Sequence, residues 1–180
     1  MEKFSSQKEL AGYLDSFGIE TENWGKDSAK TIGHLAEEIN EGEAVLLEEK
    51  GQVIRQIQIA GVDVFYQNCR LYEDRQEFSD GRTRKRTLTH SLSEKFKGDE
   101  SREDAAKRAL REELGIGGKI NIKETGEKIE TKDSLSYPGL KTRYIVCEFE
   151  AFLSPEQFSA DGYVECGGGK KNYFLWKETE

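Results

Sequence analysis

Several residue types are scarce in this chain, and each scarcity excludes something. Among 180 residues there are only 3 cysteines, 2 prolines, 2 tryptophans and 2 histidines. Cys69, Cys147 and Cys166 are odd in number, far apart and without a C-x-x-C pair or adjacent histidines. That pattern argues against a disulfide framework and a structural zinc site, and buried reduced thiols are expected. No window approaches the roughly 18 consecutive apolar residues of a membrane helix, and no apolar signal-peptide core opens the chain. A cytoplasmic protein with no membrane partner is the expectation. Positive charge is also short. Lys and Arg total 27 against 35 Asp and Glu, a formal charge of -8, and this sign disfavours nucleic acid as the main partner. His34 and His90 stand apart from any nucleophile, and neither a Ser-His-Asp pattern nor a P-loop occurs.

What the chain does have is bulky core material, with 9 Phe and 7 Tyr, more than a disordered segment carries. Its length suits one domain with a short extension. Residues 1–43 read as a helical N-terminal extension. Ser6 and Glu9 have capping-box spacing before Leu10, Leu14 and Phe17, and a second helix from about Ser28 carries Ile32, Leu35, Ala36 and Ile39. Trp24, between the helices, is expected to anchor onto the next layer. Residues 44–180 read as an α/β domain. Val53 to Phe65 form a β-branched run, and Asp80-Gly81 is a hairpin signal between 71–78 and 83–89. Further strands are expected near 120–123, 126–130, 142–153 and 172–176, with Glu165 to Lys170 a flexible loop.

The segment Gly98 to Ile116 carries the chemistry. Ser101 is a plausible N-cap, alanines favour helix, and Gly115 supplies a stop. Ala106, Leu110 and Leu114 share one face, while Arg102, Ala105, Ala109, Glu112 and Glu113 fall on another. Two adjacent acids on a last helical turn can hold a hard divalent cation through oxygen, although such pairs are more often simply solvated.

The spacing resembles the signature of the Nudix hydrolase family: Glu100, seven spacers, Arg108, Leu110, Glu112, Glu113, Gly115 and Ile116 all fall in place. The first signature glycine is Glu94, and the glutamate expected after Arg108 is Ala109. The resemblance implies a Nudix-like α-β-α sandwich around a mixed sheet, covering roughly residues 44–176. It implies Mg2+ or Mn2+ as cofactor, held by Glu112 and Glu113. The swap of an expected glycine for Glu94, alongside the loss of a carboxylate at Ala109, makes Glu94 a candidate substitute ligand. Glu100 would orient the loop, Arg108 would pin the carboxylates, and Glu165 is the best-placed base outside the box. Arg82, Arg84 and Arg86 project to one side if their segment is a strand, and would meet the phosphates of a small nucleotide-type substrate. The implied activity is hydrolysis of a nucleoside-diphosphate-linked compound. A module that binds a nucleotide or protein without hydrolysis is the alternative, and a homodimer is left open.

Overall fold

A computed structural model describes residues 4–179 of the chain; Met1 to Lys3, the start of the expected extension, lie outside the described residues. Two compact units are distinguishable. The first contains the chain up to Ile59 with Lys95–Glu100 and Lys128–Val146, and the second contains Ala60–Glu94, Ser101–Glu127 and the chain from Cys147.

In the first unit, α1 (Gln7–Asp15) begins at Ser6, whose hydroxyl accepts the Glu9 N–H. Helix α2 (Ile32–Asn40) starts later than the spacing predicts. Thr31 is its N-cap, and the His34 side chain returns to the Thr31 backbone in a capping box, so the local cap overrides the apolar stripe in setting the start. Leu10, Leu14, Leu35 and Ile39 meet Trp24, Val53, Ile57, Tyr137 and Leu140 in one buried cluster. Each such aliphatic side chain contributes about 1.5–3 kcal/mol by leaving water. Trp24 is the expected anchor: its indole N–H donates to the Pro138 carbonyl at 3.0 Å, and its ring packs on Tyr137.

Gly42 follows α2 at φ +73°, and a Cβ there would lie 2.6 Å from the Gly98 backbone nitrogen. A left-handed alanine costs roughly 1–2 kcal/mol before any clash. Gly42→Ala is therefore expected to destabilise by about 2 kcal/mol and lower the melting temperature by about 4–8 °C. An unchanged thermal transition would mean that the contact with Gly98 is not held in solution.

The strands are β1 (Val45–Glu49), β2 (Gln52–Tyr66), β3 (Cys69–Phe78), β4 (Thr83–Arg84), β5 (Leu92–Lys95), β6 (Asn121–Asp133), β7 (Lys141–Phe152), β8 (Tyr163–Gly167) and β9 (Lys170–Glu178), and α3 spans Arg102–Leu114. Neighbours run β6-β7-β2-β3-β9-β8, with β1 and β5 on β2 and β4 on β3. The β1–β2, β2–β3, β3–β9 and β8–β9 pairs are antiparallel. Strands β2 and β7 run parallel, because Arg55 meets Thr142 at one end and the Leu153 N–H donates to the Phe65 carbonyl at the other. The class is α/β with a mixed sheet, as expected.

Three local expectations are corrected. Residues 120–130 form one strand rather than two. The segment after Asp80-Gly81 is a strand only over Thr83–Arg84. The glycine-rich stretch is no flexible loop: Gly167 pairs with Lys170, and Gly168 (φ 57°) and Gly169 (φ 73°) make the two-residue turn between β8 and β9. Two successive positive φ values are what a type I′ hairpin turn demands, and glycine meets them without strain. Among the cysteines only Cys147 is buried, while Cys69 is partly exposed and Cys166 exposed.

Candidate functional site

Helix α3 lies where the spacing placed it. Ser101 accepts the Asp104 N–H, and Gly115 closes the helix in the left-handed conformation. Its buried side is wider than the Ala106-Leu110-Leu114 stripe, because Ala105, Arg108 and Ala109 are buried too. Methyl groups at 105 and 109 let the helix lie close against its surroundings, and Ala109 is completely inaccessible. The two acids of the last turn therefore differ. Glu112 is exposed and Glu113 half-buried.

Arg108, 8% exposed, reaches Glu112 at 3.1 Å and Glu94 at 3.5 Å. Glu94 thus sits beside the helix that bears the signature acids. Glu113 stands in an acidic environment: burial and the charges of Glu165 and Glu94 push its carboxyl up to about 7, Glu73 adds to the effect, and Lys170 opposes it. The charges of Glu165, Glu94 and Glu73 thus converge on Glu113, and Glu112 is held to one side by Arg108.

The sheet accounts for how these residues come together. Across the β3–β9 pair, Glu73 faces Phe174 and Gln76 faces Asn172, with an irregularity between Glu73 and Arg75 that leaves Asp74 outside the register. An extra residue of this kind shifts the two-residue alternation of a strand. Glu73 and Gln76, three positions apart, consequently lie on the same face. On β8, Glu165 faces Asn172 across the hairpin. The Gln76 amide donates to the Asn172 carbonyl oxygen at 2.9 Å, and the Asn172 amide donates to the Glu165 carboxylate. Gln76 and Asn172 are 2% and 4% exposed, so this two-step chain fixes the direction of Glu165 from beneath.

The three arginines of the basic run do not form one face. Arg82 pairs with Asp80 at 2.7 Å, and Arg84 is exposed on β4. Arg86 makes a two-pronged pair with the buried Glu73 carboxylate, and the charges of Glu113 and Glu165 help hold its proton. Arg86 therefore belongs to the acidic site while Arg82 and Arg84 do not join it. Spacing gave no hint of Glu73, Gln76, Asn172 or Lys170. An acid and two amides inside an otherwise ordinary strand pattern were the only signal.

Glu100 belongs to the first unit. Its carboxylate accepts the Lys97 N–H at 2.7 Å. The loop it closes is fastened to α2 and the residues after it: Lys95 reaches Glu38 at 2.9 Å and Glu43 at 2.8 Å, and the Gly98 N–H donates to the Glu41 carbonyl at 3.1 Å. The N-terminal helices thus hold the loop that carries the first signature acid.

Among the described residues no three His, Cys, Asp or Glu side chains converge into a ready-made metal cage. Magnesium does not demand one, because it keeps several waters and commonly takes one or two carboxylates. The donor chemistry fits such a cation: oxygen ligands only, and a carboxyl at 113 whose ionisation is opposed by its neighbours.

Compared with known proteins, the chain matches no family model and no curated protein. Solved structures align with 68% of it: a MutT protein from Bacillus halodurans at 13% identity, covering 68% of that chain with a TM-score of 0.34; an Ap4A hydrolase from C. elegans at 14%, 80% and 0.35; and the ORF135 protein of E. coli at 15%, 74% and 0.34. Likeness this distant leaves the function to be argued from the chain's own residues.

Proposed function

We propose that this protein is a divalent-metal-dependent hydrolase of the Nudix type, which cleaves the diphosphate of a nucleoside-diphosphate-linked compound. The observation that carries the reading is the setting of Glu113. A signature acid on the last turn of a capped helix lies half-buried among the charges of Glu165, Glu94 and Glu73, and surplus negative charge of this kind is relieved by a hard cation. Glu113 and Glu94 would hold Mg2+ or Mn2+, with Glu112 on the exposed side. When bound, the ion would supply electrophilic assistance to a phosphoryl group and lower the pKa of a water.

The chain's own residues do the remainder. Glu165, aimed by Asn172, accepts a proton as water oxygen attacks phosphorus and the bond to the leaving phosphate breaks. Arg86 offers a fixed positive charge to phosphate oxygens. Arg108 keeps the helical acids in place, while Glu100 closes its own loop. Arg82 and Arg84, away from the acids, would meet only outlying parts of a substrate.

One observation favours the non-hydrolytic alternative. Position 109, where the family's pattern has a carboxylate, is a wholly buried alanine. A screen of ADP-ribose, nucleotide sugars, dinucleoside polyphosphates and nucleoside triphosphates with Mg2+ or Mn2+ separates the two. The hydrolase reading expects release of a nucleoside monophosphate from at least one compound, abolished by EDTA. Absence of release across the panel would retire it in favour of a binding module.

A further inference from the structure

Strands β2 and β3 face each other directly at Phe65↔Arg70 and Tyr66↔Cys69. The next residues in that register are Val64 and Leu71, and a side chain stands between them. The Val64 N–H donates to the Ser91 hydroxyl at 3.1 Å, and that hydroxyl donates to the Leu71 carbonyl at 2.5 Å. Beyond this point the strands part: β2 takes β5 as a neighbour, and β3 pairs with β4 at Gln76 and Glu77. Glu94 lies three residues after Ser91 on one arm of the fork, and Glu73 two residues after Leu71 on the other. Both act on Glu113.

The apex of the fork is locked in place. Ser91 is 1% exposed, and its N–H donates at 3.1 Å to an Asp63 oxygen that also takes the Arg70 guanidinium at 2.6 Å. The other Asp63 oxygen lies 3.4 Å from His90 Nδ1. Burial alone would raise the Asp63 carboxyl, but His90, Arg70 and the Ser91 N–H hold it below the usual range, so it remains an acceptor. Arg70 also donates to the Thr89 carbonyl. The His90 ring fits because residue 61 is glycine: a Cβ there would lie 2.4 Å from it. Thr89, His90 and Ser91 are thus each fastened, and the Ser91 hydroxyl is the group that enters the ladder. A hydroxyl accepts and donates through one atom. A methyl does neither, and would leave a buried N–H and C=O to meet each other or go unpaired.

We propose that Ser91 is a positioning residue: its hydroxyl holds the β2–β3 fork open, and the opening sets Glu94 and Glu73 against Glu113 in the arrangement a divalent cation meets. The fork stands on the strand geometry alone. Its consequence for metal binding deepens the hydrolase reading and rests on it.

The test compares the full chain with Ser91→Ala by NMR and by calorimetric titration of Mg2+. Leu14→Ala, which opens a cavity in the buried cluster around α1, controls for lost stability. In the wild type, nuclear Overhauser contacts should run from the Ser91 methylene to both Val64 and Leu71, and absence of either would overturn the proposal. In Ser91→Ala a scalar coupling across a direct Val64 N–H to Leu71 carbonyl hydrogen bond should appear. That variant should bind Mg2+ at least about tenfold more weakly, and Leu14→Ala should bind it as the wild type does. If Ser91→Ala does not fold, Ser91→Cys, whose thiol is a weaker donor and acceptor, takes its place. Equal magnesium affinity in the folded variant, or equal weakening in Leu14→Ala, would overturn the positioning role. The new coupling in a protein that binds no magnesium would uphold the fork and retire the hydrolase. Magnesium-dependent hydrolysis with kcat and KM unchanged in Ser91→Ala would do the reverse.

Discussion

Replacing Glu113 with glutamine is expected to lower metal-dependent hydrolysis steeply and, at the same time, to raise stability at pH 8. The two effects have one cause. Burial and the charges of Glu165 and Glu94 lift the Glu113 carboxyl from the ordinary 4.5 to about 7. A folded-state pKa above the unfolded one means the protonated side chain favours folding. That contribution is full below about pH 4.5 and disappears as pH rises through about 7. The wild type should therefore lose stability between pH 5 and 8, while Glu113→Gln should not. With solvent screening allowed for, the difference at pH 8 is on the order of 1 kcal/mol, a rise of about 2–4 °C in melting temperature. Magnesium should stabilise the wild type more at pH 8 than at pH 5.5, because binding requires the ionised carboxylate, and should do little for the variant. Loss of a positioned carboxylate from the site should lower hydrolysis by about 100-fold or more. Identical pH–stability curves for the two proteins would show that the Glu113 carboxyl is not under electrostatic pressure, and would remove the main support for a metal there.

The same residues show how far the sequence could be read. Helix α3 was legible because its boundaries are set locally, by the Ser101 hydroxyl at one end and Gly115 at the other, and because its acids and arginine recur at fixed intervals. Strands β2, β3, β7 and β9 were legible from β-branched and alternating residues. The partners of Glu113 were not. Glu73 and Gln76 reach one face only because Asp74 falls out of register, and a bulge leaves no mark on a pattern of apolar and polar residues. Asn172 gains its meaning from Glu165 on the neighbouring strand, a relation fixed by hairpin pairing. The Gly167-Gly168-Gly169 run looked like slack, yet glycine there satisfies a tight turn. Arg82, Arg84 and Arg86 were expected on one face by alternation, but alternation applies only inside a strand, and the strand stops at Arg84. Glu73 then draws Arg86 away to the acidic cluster.

A larger change in stability is expected from Glu38→Gln, and it bears on the loop that carries Glu100. Glu38 is 6% exposed and Arg55 4%. Arg55 donates two hydrogen bonds to one Glu38 oxygen at 2.5 and 3.1 Å, while Lys30 and Lys95 reach the other at 2.7 and 2.9 Å. Burial alone would raise the Glu38 carboxyl, but Lys30, Arg55 and Lys95 together hold it down to about 2. Removing its charge leaves the buried Arg55 uncompensated, and breaking a buried pair in this way costs about 3–5 kcal/mol, a fall of about 6–20 °C in melting temperature. A folded-state pKa below the unfolded 4.5 means the contribution is present above about pH 4.5 and fades as pH falls through about 2. The gap between wild type and variant should accordingly be constant from pH 5 to 8 and narrow below pH 4.5. Glu38→Leu/Arg55→Met, which removes both buried charges, should recover a large part of the loss, because Lys30 and Lys95 can turn to solvent. Lys95 loses its Glu38 partner in either variant, so the Gly98 amide, bonded to the Glu41 carbonyl, should exchange faster with solvent. Exchange unchanged at Gly98 in a folded Glu38→Gln protein would show that α2 does not govern the Glu100 loop. Faster exchange there would make α2 the support of the loop that carries Glu100, within the same unit.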